Sequence, residues 1–130
     1  MDQNMIQQAY LLEKQVQELD ENFAAIENEL LDLKRFEEGI DVLDKSKEQN
    51  IISSIGKGVY AKAELSDREL FVEVGKGLIV KKSHKETKEL IEKQVKKLEE
   101  ARDQISGKLG IYREALTSLA EKIGIESEEK

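Results

Sequence analysis

The sequence contains no cysteine, no proline and no tryptophan, and aromatic residues make up only 5% of its 130 residues. Without cysteine the chain can form neither a disulfide framework nor a thiolate nucleophile, which fits a reducing compartment, so we expect a cytoplasmic location. The length suits one domain. With so few bulky apolar side chains, that domain is more typical of a narrow helical seam than of a thick core.

Long apolar runs are also missing. Asp2, Glu13 and Lys14 interrupt the N-terminal region, so we expect neither a signal peptide nor a membrane span. We find no Ser–His–Asp set, no metal-ligand cluster and no glycine-rich cofactor motif, and we interpret the one histidine, His84, as structural or solvent-exposed. The expectation is a protein that is not an enzyme and needs no cofactor or metal.

Charge is abundant but uneven. Charged residues make up 38% of the chain and the net charge is −7. Residues 1–50 hold 13 acidic and 5 basic residues, whereas residues 51–82 hold 4 acidic and 6 basic residues. An acidic first segment would repel a phosphate backbone, so nucleic acid is a poor candidate partner, and an RNA-gripping arm is the least favoured function.

Two long stretches, at about residues 4–44 and 84–124, have apolar residues at alternating intervals of three and four. This is the heptad pattern of a coiled coil. The first seam is Met5, Ala9, Leu12, Val16, Leu19, Phe23, Ile26, Leu30, Leu33 and Ile40. The last is Ile91, Val95, Leu98, Ile105, Leu109, Tyr112, Leu116, Leu119 and Ile123, with Arg102 at one seam position. Ser83 and Glu86 form a capping-box pattern before the last helix, and Gly124 predicts its end.

The two seams are nearly equal in length, which predicts an antiparallel pair of helices. The preferred register makes the numbers of facing residues sum to 128, as in Leu12 with Leu116 and Leu19 with Leu109. It brings both chain termini together at one end of the arm. It also sets both inner helix ends beside the segment that connects them.

That segment, residues 51–82, contains an approximate repeat, in which Ile55-Gly-Lys-Gly-Val-Tyr-Ala-Lys62 recurs as Val74-Gly-Lys-Gly-Leu-Ile-Val-Lys81. Two apolar runs around a glycine turn predict a β-hairpin. We expect three-residue Gly-Lys-Gly turns, with Ile55 opposite Val59 and Val74 opposite Leu78. A phosphate loop would need a helix to follow the glycines, and here a second strand follows.

Two isolated hairpins would leave strand edges unpaired, and no third helix is present to cover them. The sequence therefore predicts an oligomer whose subunits join through these strands. The predicted assembly residues are Ile51, Ile55, Val59, Ala61, Leu65, Leu70, Phe71, Val72, Val74, Leu78, Ile79 and Val80.

Helix, two hairpins and helix, with the Gly-Lys-Gly repeat and Lys62-Ala-Glu-Leu65, resemble the α-class subunit of prefoldin (GimC) over essentially the whole chain. The resemblance implies an α+β fold, a long antiparallel two-helix coiled coil whose hairpins join an intersubunit β-barrel. It implies a hetero-hexamer of two α-class and four β-class subunits. It also implies an ATP-independent chaperone that holds unfolded proteins at its coiled-coil tips and passes them to a group II chaperonin.

Under the predicted register, apolar residues collect at the end that carries both termini. The candidate client-binding residues there are Met5, Ile6, Tyr10, Leu11, Leu12, Leu119, Ile123 and Ile125. If the last turns splay, this surface would hold unfolded chain by non-directional burial. The alternative is that these residues only close the coiled coil, and that the protein is a structural scaffold without client-holding activity.

Overall fold

The structure is a computed structural model that describes residues 3–128, with side chains described to residue 124. In chain order its elements are α1 (Gln3–Lys45), β1 (Asn50–Gly56), β2 (Val59–Glu64), β3 (Leu70–Gly75), β4 (Leu78–Lys82) and α2 (His84–Glu128). β1 pairs with β2 and β3 with β4, both antiparallel. The predicted order of two long helices with two hairpins between them is confirmed.

The chain falls into two compact units. The first, called the arm unit, combines residues 1–31 with residues 95–130, and the second, called the hairpin unit, is residues 32–94. The expectation of a single domain stays a prediction.

In the arm unit, the heptad pattern is visible in the burial of the side chains. The seam positions of α1 from Met5 to Leu30, and those of α2 from Val95 to Ile123, are buried or half-buried, whereas most other positions are exposed. Two ion pairs link the helices: Glu27 with Arg102 and Asp20 with Arg113. Asp20 precedes Glu27 in α1, whereas its partner Arg113 follows Arg102 in α2. This reversed order confirms the predicted antiparallel direction. The individual facing pairs stay predictions.

In the hairpin unit, the two helix segments also run antiparallel. Asp41 pairs with Lys88 at 2.7 Å, and Asp44 lies 3.8 Å from the ring of His84. The unit's core is small: Ile40, Ile91 and Thr87 are about 95% buried. The hydroxyl of Thr87 is satisfied there, because it donates to the carbonyl oxygen of Ser83 at 2.9 Å.

Both hairpin tips differ from the predicted three-residue turn. Gly56 pairs with Val59 and Gly75 pairs with Leu78, so each turn has two residues, and the register shifts just before each of these glycines. The predicted pairs Ile55–Val59 and Val74–Leu78 are therefore wrong. A two-residue hairpin turn of type I′ needs positive φ at both central positions, and Lys57 and Gly58 have φ of 51° and 77°. Away from the tips the predicted register holds, as in Ser53 with Ala61 and Val72 with Val80.

The helix ends show one prediction confirmed and one corrected. Ser83 caps α2, since its Oγ accepts from the backbone N–H of Glu86 at 3.1 Å, and the Glu86 carboxylate accepts from the N–H of Ser83 at 3.4 Å. The predicted end at Gly124 is wrong, because α2 continues to Glu128. One glycine costs a helix only about 1 kcal/mol, and no proline follows to stop it.

Two glycines offer a matched test of backbone conformation. A Cβ added at Gly39, inside α1, or at Gly58, in the first turn, meets no atom within 4 Å, but only Gly58 has positive φ. We expect Gly39→Ala to stabilise the protein by about 1 kcal/mol and Gly58→Ala to destabilise it by about 1–2 kcal/mol. Thermal unfolding followed by circular dichroism measures both, and changes of the same sign would contradict the assignment.

The cap of α2 predicts a specific loss of stability in acid. Hydrogen bonds from the Ser83 side chain and backbone hold the pKa of Glu86 below its usual 4.5. A lowered pKa adds stability that is present above pH 4.5 and is lost as the pH falls through the folded value. We expect the melting temperature of the parent to exceed that of Glu86→Gln at neutral pH, and the difference to vanish in acid. A difference that does not change with pH would contradict the cap's electrostatic role.

Candidate interaction surfaces

The second hairpin, β3–β4, rests on the helices of the hairpin unit. Leu70, Val72 and Val80 are half-buried, and Leu70 and Val72 line a cleft of about 420 Å³ together with Ile40 and Leu43. The opposite face is open: its residues Phe71 and Ile79 are 66% and 62% exposed. This hairpin therefore has one partly covered face and one exposed face, on which Phe71 and Ile79 lie beside Glu73 and Lys81.

The first hairpin, β1–β2, is covered much less. Every residue of its two strands is exposed except Ile51, which is half-buried. Ile52, Ile55 and Tyr60 are 68%, 69% and 64% exposed. A two-stranded ribbon with apolar side chains free on both faces is marginal in water, so this hairpin is the most incomplete part of the molecule.

The structure divides the predicted assembly residues into two groups. Those that the chain itself partly covers are Ile51, Leu65, Leu70, Val72 and Val80, and those that are exposed are Ile55, Val59, Ala61, Phe71, Val74, Leu78 and Ile79. Sequence reasoning missed Ile52 and Tyr60, which lie on the face of the first hairpin that also carries Lys62. Polar and charged residues alternate along that face in the sequence, so it reads as a polar face. In the structure its apolar residues Ile52 and Tyr60 are about as exposed as Ile55 on the other face.

Ion pairs on the hairpin unit are exposed and local. A hydrogen bond from Lys88 lowers the pKa of Asp41, and the same contact raises the pKa of Lys88. Glu69, on the linker between the hairpins, pairs with Lys81 of β4 and raises its pKa. Such exposed pairs contribute little to stability. These pairs link neighbouring segments of the backbone, and their arrangement is not that of a general acid–base site.

His84 has a structural environment. Its Nε2 lies 2.6 Å from the carbonyl oxygen of Arg68, and its side chain is 18% exposed. Among the described residues, no group of three or more His, Cys, Asp or Glu side chains is arranged to hold a metal ion. No described helix is long and apolar enough to cross a membrane.

In the arm unit, the candidate client-binding residues also fall into two groups. Met5, Leu12, Leu119 and Ile123 are half-buried in the seam. Ile6, Tyr10 and Leu11 are 43%, 65% and 57% exposed on α1. The side chain of Ile125 lies outside the described residues. An exposed apolar group and a half-buried one therefore adjoin at the start of α1.

Comparison with known proteins agrees with this architecture. The family model for the prefoldin subunit matches residues 12–124. A filamentous prefoldin from Methanocaldococcus jannaschii, solved by cryo-electron microscopy, superposes with a TM-score of 0.67 and 17% sequence identity. The match covers 95% of this chain and 98% of that one; at this identity it shows the fold. A search of curated proteins gave no match. The family match spans most of the sequence, and the chain therefore belongs to the prefoldin subunit family.

Proposed function

We propose that this chain is an α-class prefoldin subunit of an ATP-independent holdase. Its two hairpins join β-class subunits, two α with four β, in an intersubunit β-barrel. The start of α1 and the end of α2 hold unfolded client proteins and pass them to a group II chaperonin in the cytoplasm. The observation that carries the proposal is the pair of hairpins whose apolar residues remain exposed, in a chain of a chaperone family.

Exposure of the hairpins supports assembly. Eight of their large apolar side chains are more than half exposed: Ile52, Ile55, Val59, Tyr60, Phe71, Val74, Leu78 and Ile79. In addition, each sheet has only two strands, so each strand keeps one unpaired edge. Strands of other subunits would pair with these edges and cover the apolar faces. The presence of two hairpins supports the α class, because β-class subunits carry one.

The client-holding part of the proposal is supported by the exposed residues of α1. Ile6 and Tyr10 are four residues apart and share one side of the helix, with Leu11 beside them. Apolar side chains left in solvent gain free energy when they cover apolar segments of an unfolded chain, without demanding a particular sequence. Met5, in the adjoining seam, adds an adaptable side chain.

The assembly surface is tested by placing a charge on each hairpin. Ile52→Lys and Phe71→Lys replace side chains that are 68% and 66% exposed, so the folded monomer should tolerate both. Burying the new charge at an interface is costly, and we expect assembly with a β-class subunit to be lost. Light scattering after gel filtration measures the mass.

The matched control is Val42→Lys, because Val42 is 66% exposed on α1 in the same unit. It should assemble like the parent. If both hairpin variants assembled as well as this control, the hairpins would not be the assembly surface. A parent that stays monomeric with every β-class subunit would contradict the proposed function.

The client surface is tested with the triple substitution of Ile6, Tyr10 and Leu11 by Ser. We expect the assembled variant to bind a denatured client about tenfold more weakly, because a loss of about 1.4 kcal/mol corresponds to a factor of ten. Suppression of client aggregation, measured by turbidity against chaperone concentration, checks this.

Ile111→Ser serves as the control for the client surface, because Ile111 is 66% exposed on α2 of the same unit. Its protection of the client should equal that of the parent. Equal protection by the triple variant would instead favour the alternative function, a scaffold whose coiled coil spaces its partners.

A second mode of assembly is favoured by one comparison, since the similar archaeal structure is a filamentous prefoldin. The exposed apolar faces of this chain could pair with copies of itself as well as with a β-class subunit. Light scattering of the chain alone separates the two modes. A mass that grows with concentration without a partner indicates self-assembly, and a monomer that assembles only on mixing indicates the hetero-oligomer.

A further inference from the structure

The linker between the hairpins, residues 65–69, is tied to the end of α1 by one side chain. Arg68 donates from one guanidinium nitrogen to the carbonyl oxygen of Leu43 and from the other to that of Glu48, at 2.9 Å. The last four carbonyls of a helix lack intrahelical partners. Leu43 is among them, because α1 ends at Lys45. A cation at this position also complements the negative end of the helix dipole.

The backbone of the same residue reaches the other helix. The carbonyl oxygen of Arg68 lies 2.6 Å from Nε2 of His84, the first residue of α2. A carbonyl only accepts hydrogen bonds, so Nε2 carries the hydrogen and donates it. The carboxylate of Asp44 lies 3.8 Å from the same nitrogen, beyond hydrogen-bond distance. The Nδ1 atom is buried and has no hydrogen-bond partner among the described residues, so Nε2 makes the ring's directional contact.

Arg68 thus bridges the last turn of α1, the segment that follows it and the first turn of α2. It lies between the hairpins, four residues after the end of β2 at Glu64 and two residues before the start of β3 at Leu70. The second hairpin also has its own packing against the helices. The first hairpin is exposed at nearly every residue, so packing does little to hold its direction. Where its two strands meet the rest of the chain, the N–H of Leu65 donates to the carbonyl oxygen of Gln49 at 2.7 Å.

We propose that Arg68 is a positioning residue for assembly, which sets the direction in which the first hairpin is presented to partner strands. The inference deepens the proposed function and rests on it. A guanidinium suits this role because its planar fork donates along two fixed directions to two carbonyls, whereas an ammonium is a single point charge. A hairpin whose direction is already fixed loses less conformational entropy when it binds partner strands, so association is more favourable than for a freely moving hairpin.

The test compares Arg68→Ala, Arg68→Lys and the control Lys34→Ala, which removes a positive charge from an exposed position of α1 in the same unit. Assembly with a β-class subunit is titrated by light scattering. We expect Arg68→Ala to weaken assembly at least about tenfold, as the loss of charge-assisted hydrogen bonds would. Arg68→Lys should recover it in part, and the control should match the parent.

The His84 bond is tested by a similar pair. His84→Phe keeps a ring but removes the donor, and should weaken assembly in the same direction as Arg68→Ala. His84→Gln keeps an N–H donor on a side chain of similar reach and should assemble more tightly than His84→Phe.

Loss of general stability would mimic this result, so Gly39→Ala is added to Arg68→Ala. If the arginine only stabilises the monomer, the double variant recovers assembly as its melting temperature rises. If it positions the hairpin, assembly stays weak although the melting temperature recovers, and the amides of β1–β2 remain protected from hydrogen exchange.

If the parent assembles and Arg68→Ala assembles equally well, this inference alone is overturned. A parent that never assembles overturns the proposed function and this inference with it.

Discussion

The seam between two antiparallel helices protects only a stripe along each of them, and the chemistry of the rest of the chain follows from that limit. Every third or fourth residue of α1 and α2 is shielded, and most of the positions between are charged or polar. Even the best-buried apolar side chains, such as Leu30 and Leu109, keep about 5% exposure. A seam of this width has no room for the apolar residues of the two hairpins. Those that the helices do not cover remain on the surface unless another chain covers them.

The two hairpins differ in how far the helices cover them, although their turns have the same sequence, Gly-Lys-Gly. Gly-Lys-Gly produces the same backbone in both, with φ of 51° and 48° at Lys57 and Lys76. Both hairpins carry large apolar residues on both faces, but only the second rests one face on the helices, through Leu70, Val72 and Val80. The first has small residues such as Ala61 and Ala63 on one face, and these gain little by packing against the chain itself. Its direction therefore depends on hydrogen bonds of the adjoining linker, of which Arg68 makes several.

Charges specify arrangement here more than they add stability. The pairs Glu27–Arg102 and Asp20–Arg113 are partly exposed, and such pairs typically contribute less than about 1 kcal/mol. Yet Arg102 occupies an apolar position of the heptad pattern. Arg102 is half-buried and its guanidinium donates to Glu27, and an arginine at such a site disfavours registers in which no acid faces it. The ion pair of Asp41 with Lys88 marks the same antiparallel direction in the hairpin unit.

The sequence by itself determined the elements, because each depends on local rules. Heptad spacing predicted both helices and the half-buried positions along them, Ser83 with Glu86 predicted the start of α2, and glycine turns predicted both hairpins. What it could not determine depends on contacts between distant residues. The two-residue turns arise from a register shift before Gly56 and Gly75, which apolar alternation does not reveal. The exposure of Ile52 and Tyr60, and the bonds of Arg68 to Leu43 and His84, exist only because the fold brings both helix ends beside the linker. Periodicity reports which side of an element is apolar, and only the tertiary structure decided which apolar sides this chain covers and which it leaves for a partner.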